Sequence, residues 1–190
     1  MVVRIDRVVT RGGDRGQTSL GDGSRVSKSS RHIEAIGMLD EANAVVGLLR
    51  AHVAVSDMDL AGRLAGIQNL IFDIGSDLCQ PEGSRHAKRL DDSLTNVIEK
   101  EVERLRAAQL PLTSFVLPGG SIAAGWAHLA RTTIRRTERS VVALAEETSI
   151  NPALTPILNR LSDYFFVLSR HLNEDGRLDI VWEPGKPLFS

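Results

Sequence analysis

Apolar residues recur at steps of three and four through most of this chain, and the recurrence falls into five segments. The first runs from Ser29 or Ser30 to Ala51 and is apolar on two sides. Ile33, Ile36, Gly37, Asp40, Ala44, Gly47, Leu48 and Ala51 share one face, and Met38, Leu39, Ala42, Val45, Val46 and Leu49 share the other. A helix apolar on both sides predicts a central position or a subunit contact. The second segment, 57–78, turns Leu60, Leu64, Ile67, Ile71, Ile74 and Leu78 inward. The third, 91–108, turns Leu94, Val97, Ile98, Val102 and Leu105 inward and is charged elsewhere, as an outer, solvated wall would be. The fifth opens at Asn151-Pro152 and reaches Asn173, with Leu154, Leu158, Leu161, Phe165, Leu168 and Leu172 as its core side; Asn159, Asp163, Phe166 and Arg170 share the other.

The fourth segment carries the chemistry. Phe115-Val116-Leu117 reads as a short strand cut off by Pro118-Gly119-Gly120, and Ser121 stands where a helix N-cap belongs. In the helix expected from Ile122 to about Glu147, Ala127, Ala130, Ile134, Val141 and Ala145 form the apolar stripe. Beside it runs a second line of Ala124, His128, Arg131, Arg135, Glu138 and Val142. Arg136 points away from that line and Arg139 lies at its margin. A guanidinium beside a core needs an anion, because an unpaired buried charge is costly. Two readings stay open at this point: a salt-bridged face, or a site for phosphate, which planar forked donors fit well. Asp40, in mid-face on the first helix, is the obvious acid for the 131/135 line, within one chain or across an oligomer interface.

Upstream of the helices the chain has no helical or strand period. Thr10, Arg11, Gly12, Gly13, Arg15, Gly16, Thr18, Ser19 and Lys28 supply backbone N–H groups, hydroxyls and positive charge, which read either as a phosphate-cradling loop or as a flexible, solvated arm. It is not a Walker A sequence, since no Gly-Lys-Ser/Thr follows. The loop at 81–88 is expected to be mobile, and the tail at 179–190, with Trp182, is expected to fold back over a pocket.

Composition narrows the field. Lys plus Arg number 23 against 24 Asp plus Glu, a net charge of −1, so nothing draws the chain as a whole to nucleic acid or an acidic membrane, and any anion site is local. The single Cys79 excludes an internal disulfide framework, and no apolar run reaches membrane-spanning length. A soluble, cytoplasmic protein is expected, built as one domain over 1–190 with an N-terminal arm (1–30), a helical bundle (31–173) and a C-terminal tail (174–190). No His-Glu-x-x-His, Cys cluster or Gly-x-Ser-x-Gly elbow is present. The remaining constellation is electrostatic: the glycine loop, Lys28, Arg131, Arg135 and Asn159 describe a polyphosphate site working by orientation and charge neutralisation.

The run from Thr10 to Thr18, then Ser24 to Lys28, Glu34 to Gly37 with Asp40-Glu41, Phe115 to Ser121, His128 to Arg139, Leu158 to Asp163 and Trp182 to Gly185 resembles the PduO-type ATP:cob(I)alamin adenosyltransferases, in the family's order. Departures are that Arg11 stands where lysine is usual, Thr137 where alanine is usual and Ile36 where an aromatic is common. The resemblance implies an all-α fold, a five-helix bundle with a four-helix up-and-down core plus one helix and an extended nucleotide-binding loop. It implies a homotrimer with ATP held between adjacent subunits. Thr10, Arg11, Gly12, Gly13, Thr18, Ser19 and Lys28 of one would wrap the nucleotide, and Arg135, Arg136, Thr137, Glu138, Arg139 and Asn159 of the next would complete the site. Mg²⁺ would ride on the phosphates, with no protein metal site. Asp40 and Arg131 would form an interface salt bridge, and Phe115 would close the lower face of cobalamin. The implied reaction is attack of cob(I)alamin on the 5′-carbon of ATP, with Arg135 and Lys28 as the catalytic pair. A cobalamin reductase and an adenosylcobalamin-dependent enzyme are the implied partners. The competing reading of the same residues is an ATP or polyphosphate sensor without turnover.

Overall fold

The structure, a computed structural model, describes residues 9–80 and 89–189; residues 1–8, the loop at 81–88 and Ser190 lie outside the described residues. Among the described residues five helices follow a small hairpin: α1 Arg31–Val53, α2 Met58–Leu78, α3 Ser93–Arg106, α4 Ile122–Ala145 and α5 Leu154–His171. Three open on side-chain caps, with Ser30, Asp57 and Ser121 accepting from the N–H groups of Ile33, Leu60 and Ala124.

The packing order is α2, α1, α4, α5, α3, so α4 lies in the middle, flanked by α1 and α5. Alanines at 124, 127 and 130 are fully buried and bring α4 close to its neighbours. Farther along, the core takes Leu144 and leaves Ala145 exposed, a correction to the expected stripe that follows from its position at the last turn. α1 and α2 are clamped by reciprocal amide contacts, Asn43 Nδ2 to the Gln68 carbonyl at 3.2 Å and Gln68 Nε2 to the Asn43 carbonyl at 3.3 Å. Of the two apolar sides of α1, one fills the core with Leu39, Ala42, Val46 and Leu49, and the other leaves Gly37, Asp40, Ala44, Leu48 and Ala51 exposed. Val97, expected inward, is exposed because α3 packs on α5 and leaves an open groove of about 650 Å³ toward α2.

The N-terminal arm departs from the expected irregular loop. Strands β1 (Gln17–Ser19) and β2 (Arg25–Ser27) pair antiparallel with Thr18 opposite Val26. Three-residue strands are too short to show a period; the reversal is local, with Asp22 Oδ1 accepting from both Ser24 N and Oγ, and Gly23 at φ +84°. At the other end of the chain, Val116 bridges Val181, Leu117 N donates to the Ile180 carbonyl at 2.7 Å, and Trp182 N to the Phe115 carbonyl at 2.8 Å. The tail therefore folds back onto the segment before α4.

Candidate active site

The turn into α4 is built around Asn173. Its side chain, fully buried, accepts from Ser121 N at 2.9 Å and donates to the Gly119 carbonyl and to Asp179 Oδ1, both at 3.1 Å. Asp179 also receives Arg170 Nε at 2.7 Å. The polar side of α5 is thus not a solvated face at this end: the Arg170–Asp179 pair is almost wholly buried and fixes the tail under the Pro-Gly-Gly turn.

The second line of α4 runs from a buried end to an open one. Ala124 and His128 are buried, Arg131 is half-buried and Arg135 is exposed. Arg131 opens into a cleft of about 980 Å³ lined by Leu112, Phe115, Phe166, Trp182 and Glu183 among others. Phe115 is 77 % exposed and meets Trp182 at 6.1 Å between ring centroids. So large an exposed ring, fixed by the strand pairing on either side of it, presents a flat apolar wall to a ligand. Among the described residues no acid pairs with Arg131: Asp40 lies on the exposed side of α1 with no ion pair, and Arg131 Nε is buried without a partner. Burial, then the nearby Arg135 charge, lowers the pKa of Arg131. His128 sits beneath, edge-on to Phe166, with both ring nitrogens buried and unpaired.

Arg135 opens into a separate cleft of about 330 Å³ with Glu138, Arg139, Val142, Ala143, Glu146 and Asn159. Arg139 Nη1 donates to the Arg135 carbonyl at 3.1 Å and Asn159 Nδ2 to Glu138 Oε1 at 3.1 Å, so α4 and α5 each contribute to one polar wall. Two residues expected here are elsewhere. Thr137 is fully buried, its hydroxyl shared between the carbonyls of Met38 and Thr133, and it does not line the cleft of its own chain. Arg136 pairs with Glu41 of α1 and does not line the cleft.

The glycine arm gathers its own residues. Lys28 N donates to the Gly16 carbonyl at 2.9 Å, and the Lys28 ammonium lies against Gly13, where a β-carbon would stand 2.8 Å from Nζ. Arg25 clamps the loop: it donates to the Gly12 carbonyl at 2.7 Å and to Ser19 Oγ at 3.2 Å. Thr10, Arg11 and Ser19 are exposed around it and Thr18 is half-buried. None of these residues lines the Arg135 cleft of the same chain. Phe166 and Glu183 are further residues of the aromatic cleft, beside the Trp182 expected over a pocket. Phe166 gives no signal in the sequence beyond its place on the non-core side of α5.

The family profile described as "Cobalamin adenosyltransferase" matches residues 8–172. A cobalamin adenosyltransferase of Cupriavidus metallidurans is 41 % identical over 95 % of this chain and 96 % of its own. A corrinoid adenosyltransferase of Mycobacterium tuberculosis is 42 % identical over 97 % of each. Among solved structures, a variant PduO-type ATP:corrinoid adenosyltransferase from Lactobacillus reuteri, complexed with cobalamin and ATP, superposes with a TM-score of 0.88 at 32 % identity, covering 94 % of this chain and 97 % of that one.

Proposed function

The chain belongs to the cobalamin adenosyltransferase family, and on that footing we propose that it transfers the 5′-deoxyadenosyl group of ATP to cob(I)alamin, forming adenosylcobalamin and releasing triphosphate. One observation carries the assignment of sites. Residues 131 and 135 of a single helix, about 6 Å apart along its axis by helical rise, open respectively into an aromatic cleft and a polar cleft. A corrin against Phe115 and a nucleotide beside Arg135 would bring cobalt and the ribose 5′-carbon together where the two clefts adjoin.

In the step itself the cobalt electron pair forms the cobalt–carbon bond as the carbon–oxygen bond breaks, and that bond pair leaves on the triphosphate. The protein aligns the two partners and neutralises the charge growing on the leaving group, the roles of Arg135 and Lys28. Phe115 covers the lower face of the corrin and keeps water and dimethylbenzimidazole off the metal, which makes cob(II)alamin easier to reduce. Among the described residues no group of three or more His, Cys, Asp or Glu side chains is placed to hold a metal ion. Mg²⁺ would arrive on the phosphates of ATP, where it would add positive charge.

The site is assembled between copies of the chain. The glycine arm and Lys28 of one subunit face Arg135, Arg139 and Asn159 of the next in a homotrimer, across the exposed face of α1. Asp40 of the partner subunit then supplies the acid that Arg131 lacks among the described residues of its own chain. The protein acts as a single-domain cytoplasmic enzyme, taking electrons from a cobalamin reductase and passing adenosylcobalamin to an enzyme that depends on it. Mixing the protein with chemically reduced cobalamin and Mg-ATP tests the activity: the light-sensitive adenosylcobalamin spectrum is expected. ATP binding without spectral conversion would point instead to a sensor.

A further inference from the structure

Asn159 is held in the polar cleft by contacts that leave its amide only one orientation. Arg160, its neighbour on α5 and not part of the cleft lining, donates from Nη1 to Asn159 Oδ1 at 2.7 Å. On the other side Asn159 Nδ2 donates to Glu138 Oε1 at 3.1 Å. An amide flip would turn the nitrogen toward a guanidinium, donor against donor, and the oxygen toward a carboxylate, acceptor against acceptor. Both contacts would then be lost at once.

Arg160 is itself fixed from two directions. Its Nε donates to Glu99 Oε1 of α3 at 2.6 Å and its Nη1 to Asp163 Oδ2 at 3.0 Å. The side chains of Arg160 and Glu99 are 36 % and 49 % exposed, and ion pairs so open to water add little to stability. The consequence of the network is therefore directional. With its oxygen taken by Arg160 and one N–H given to Glu138, Asn159 has a second N–H left to offer the cleft.

We propose that Arg160, braced by Glu99, is a positioning residue for the nucleotide. It fixes the Asn159 amide so that an N–H meets a hydrogen-bond acceptor of the nucleotide: a ring nitrogen, a sugar oxygen or a phosphate oxygen. The proposal rests on the reading of the Arg135 cleft as the ATP site. It also gives α3, otherwise an outer wall, a direct mechanical link to that site.

A double-mutant cycle of Asn159→Ala, Arg160→Ala and the double variant tests it, with ATP varied at saturating reduced cobalamin. Asn159→Ala and Arg160→Ala are each expected to raise the KM for ATP, Arg160→Ala by about tenfold, the scale of one charge-assisted hydrogen bond. The KM for cobalamin and the melting temperature should stay near those of the parent protein. In the Asn159→Ala background Arg160→Ala should have no further effect. If the two effects multiply, or if Asn159→Ala raises the KM and Arg160→Ala does not, Arg160 does not act through Asn159 and the proposal falls. If Asn159→Ala itself leaves the KM for ATP unchanged, the reading of the cleft as the ATP site falls first and takes the proposal with it.

Discussion

Arg131 and Arg135 stand one turn apart on the same side of α4 and open into different clefts. Arg131 is half-buried, shares an aromatic space with Phe115 and has an orphaned Nε–H; Arg135 is exposed in a polar space with Asn159. On the proposed reading, one helix sets the corrin cleft and the nucleotide cleft a single turn apart, and the same backbone fixes the distance between them.

Arg135→Ala should separate function from fold. The side chain is exposed and makes no ion pair among the described residues, so its loss should change stability by no more than about 0.5 kcal/mol. Adenosyl transfer should fall by about a hundredfold or more, the scale of a lost charge-stabilising group. Turnover measured alongside thermal melting checks this, and unchanged turnover would remove Arg135 from the mechanism.

Phe115→Ala should likewise fold normally, because the ring is largely solvent-exposed. The expected defect lies in the state of cobalt. With Mg-ATP present, the parent protein should convert cob(II)alamin to the form lacking its lower axial ligand, and Phe115→Ala should leave the ligand in place. Electron paramagnetic resonance distinguishes the two forms.

Much of this was legible in the sequence because long amphipathic helices announce themselves. The periodicity of Leu154, Leu158, Leu161, Phe165 and Leu168 is the core side of α5, and Ser121 caps α4 as its position after Pro118-Gly119-Gly120 implies. What was not legible depends on contacts between distant segments. Three-residue strands around Asp22 and Gly23 carry no period. Thr137 looks like part of an arginine-rich motif until α1 places the Met38 carbonyl beside its hydroxyl. The burial of Arg170 depends on Asp179 returning from beyond the end of α5, which no local pattern encodes. In the site, the Arg131 and Arg135 positions follow from helical spacing, whereas the membership of Phe166 in the aromatic cleft needed the tail to close beside it.

Gly120→Ala should unfold the entrance to α4. Gly120 sits at φ +91°, and a β-carbon there would stand 2.4 Å from Asn173 Oδ1, the atom that accepts from Ser121 N. The backbone strain alone costs about 1–2 kcal/mol, and the clash displaces the buried Asn173 in addition. Chemical denaturation should show a loss above that range, whereas Gly119→Ala, with open space around its α-carbon, should lose less.

His128 should make the fold acid-sensitive. Burial, then the Arg131 charge, lowers its pKa below the ordinary 6.5, with Asp179 opposing. Between that lowered value and 6.5 the unfolded chain binds a proton that the folded chain does not. The stability held above pH 6.5 is therefore lost as pH falls through that window, at up to about 1.4 kcal/mol per pH unit. Melting curves across this range should show a shallower acid slope for His128→Leu than for the parent protein. Equal slopes would mean that the imidazole is solvated when folded.

The claim that the active site is shared between chains is tested most directly by subunit complementation. Arg135→Ala and Lys28→Ala variants, each poorly active alone, are co-expressed and adenosylcobalamin formation is measured in the mixed assemblies. If the arm of one chain serves the helix of the next, some interfaces pair an intact Lys28 with an intact Arg135, and activity should return to a substantial fraction of the parent level. Mixed assemblies no more active than either variant alone would contradict the shared site and place both residues in a single chain.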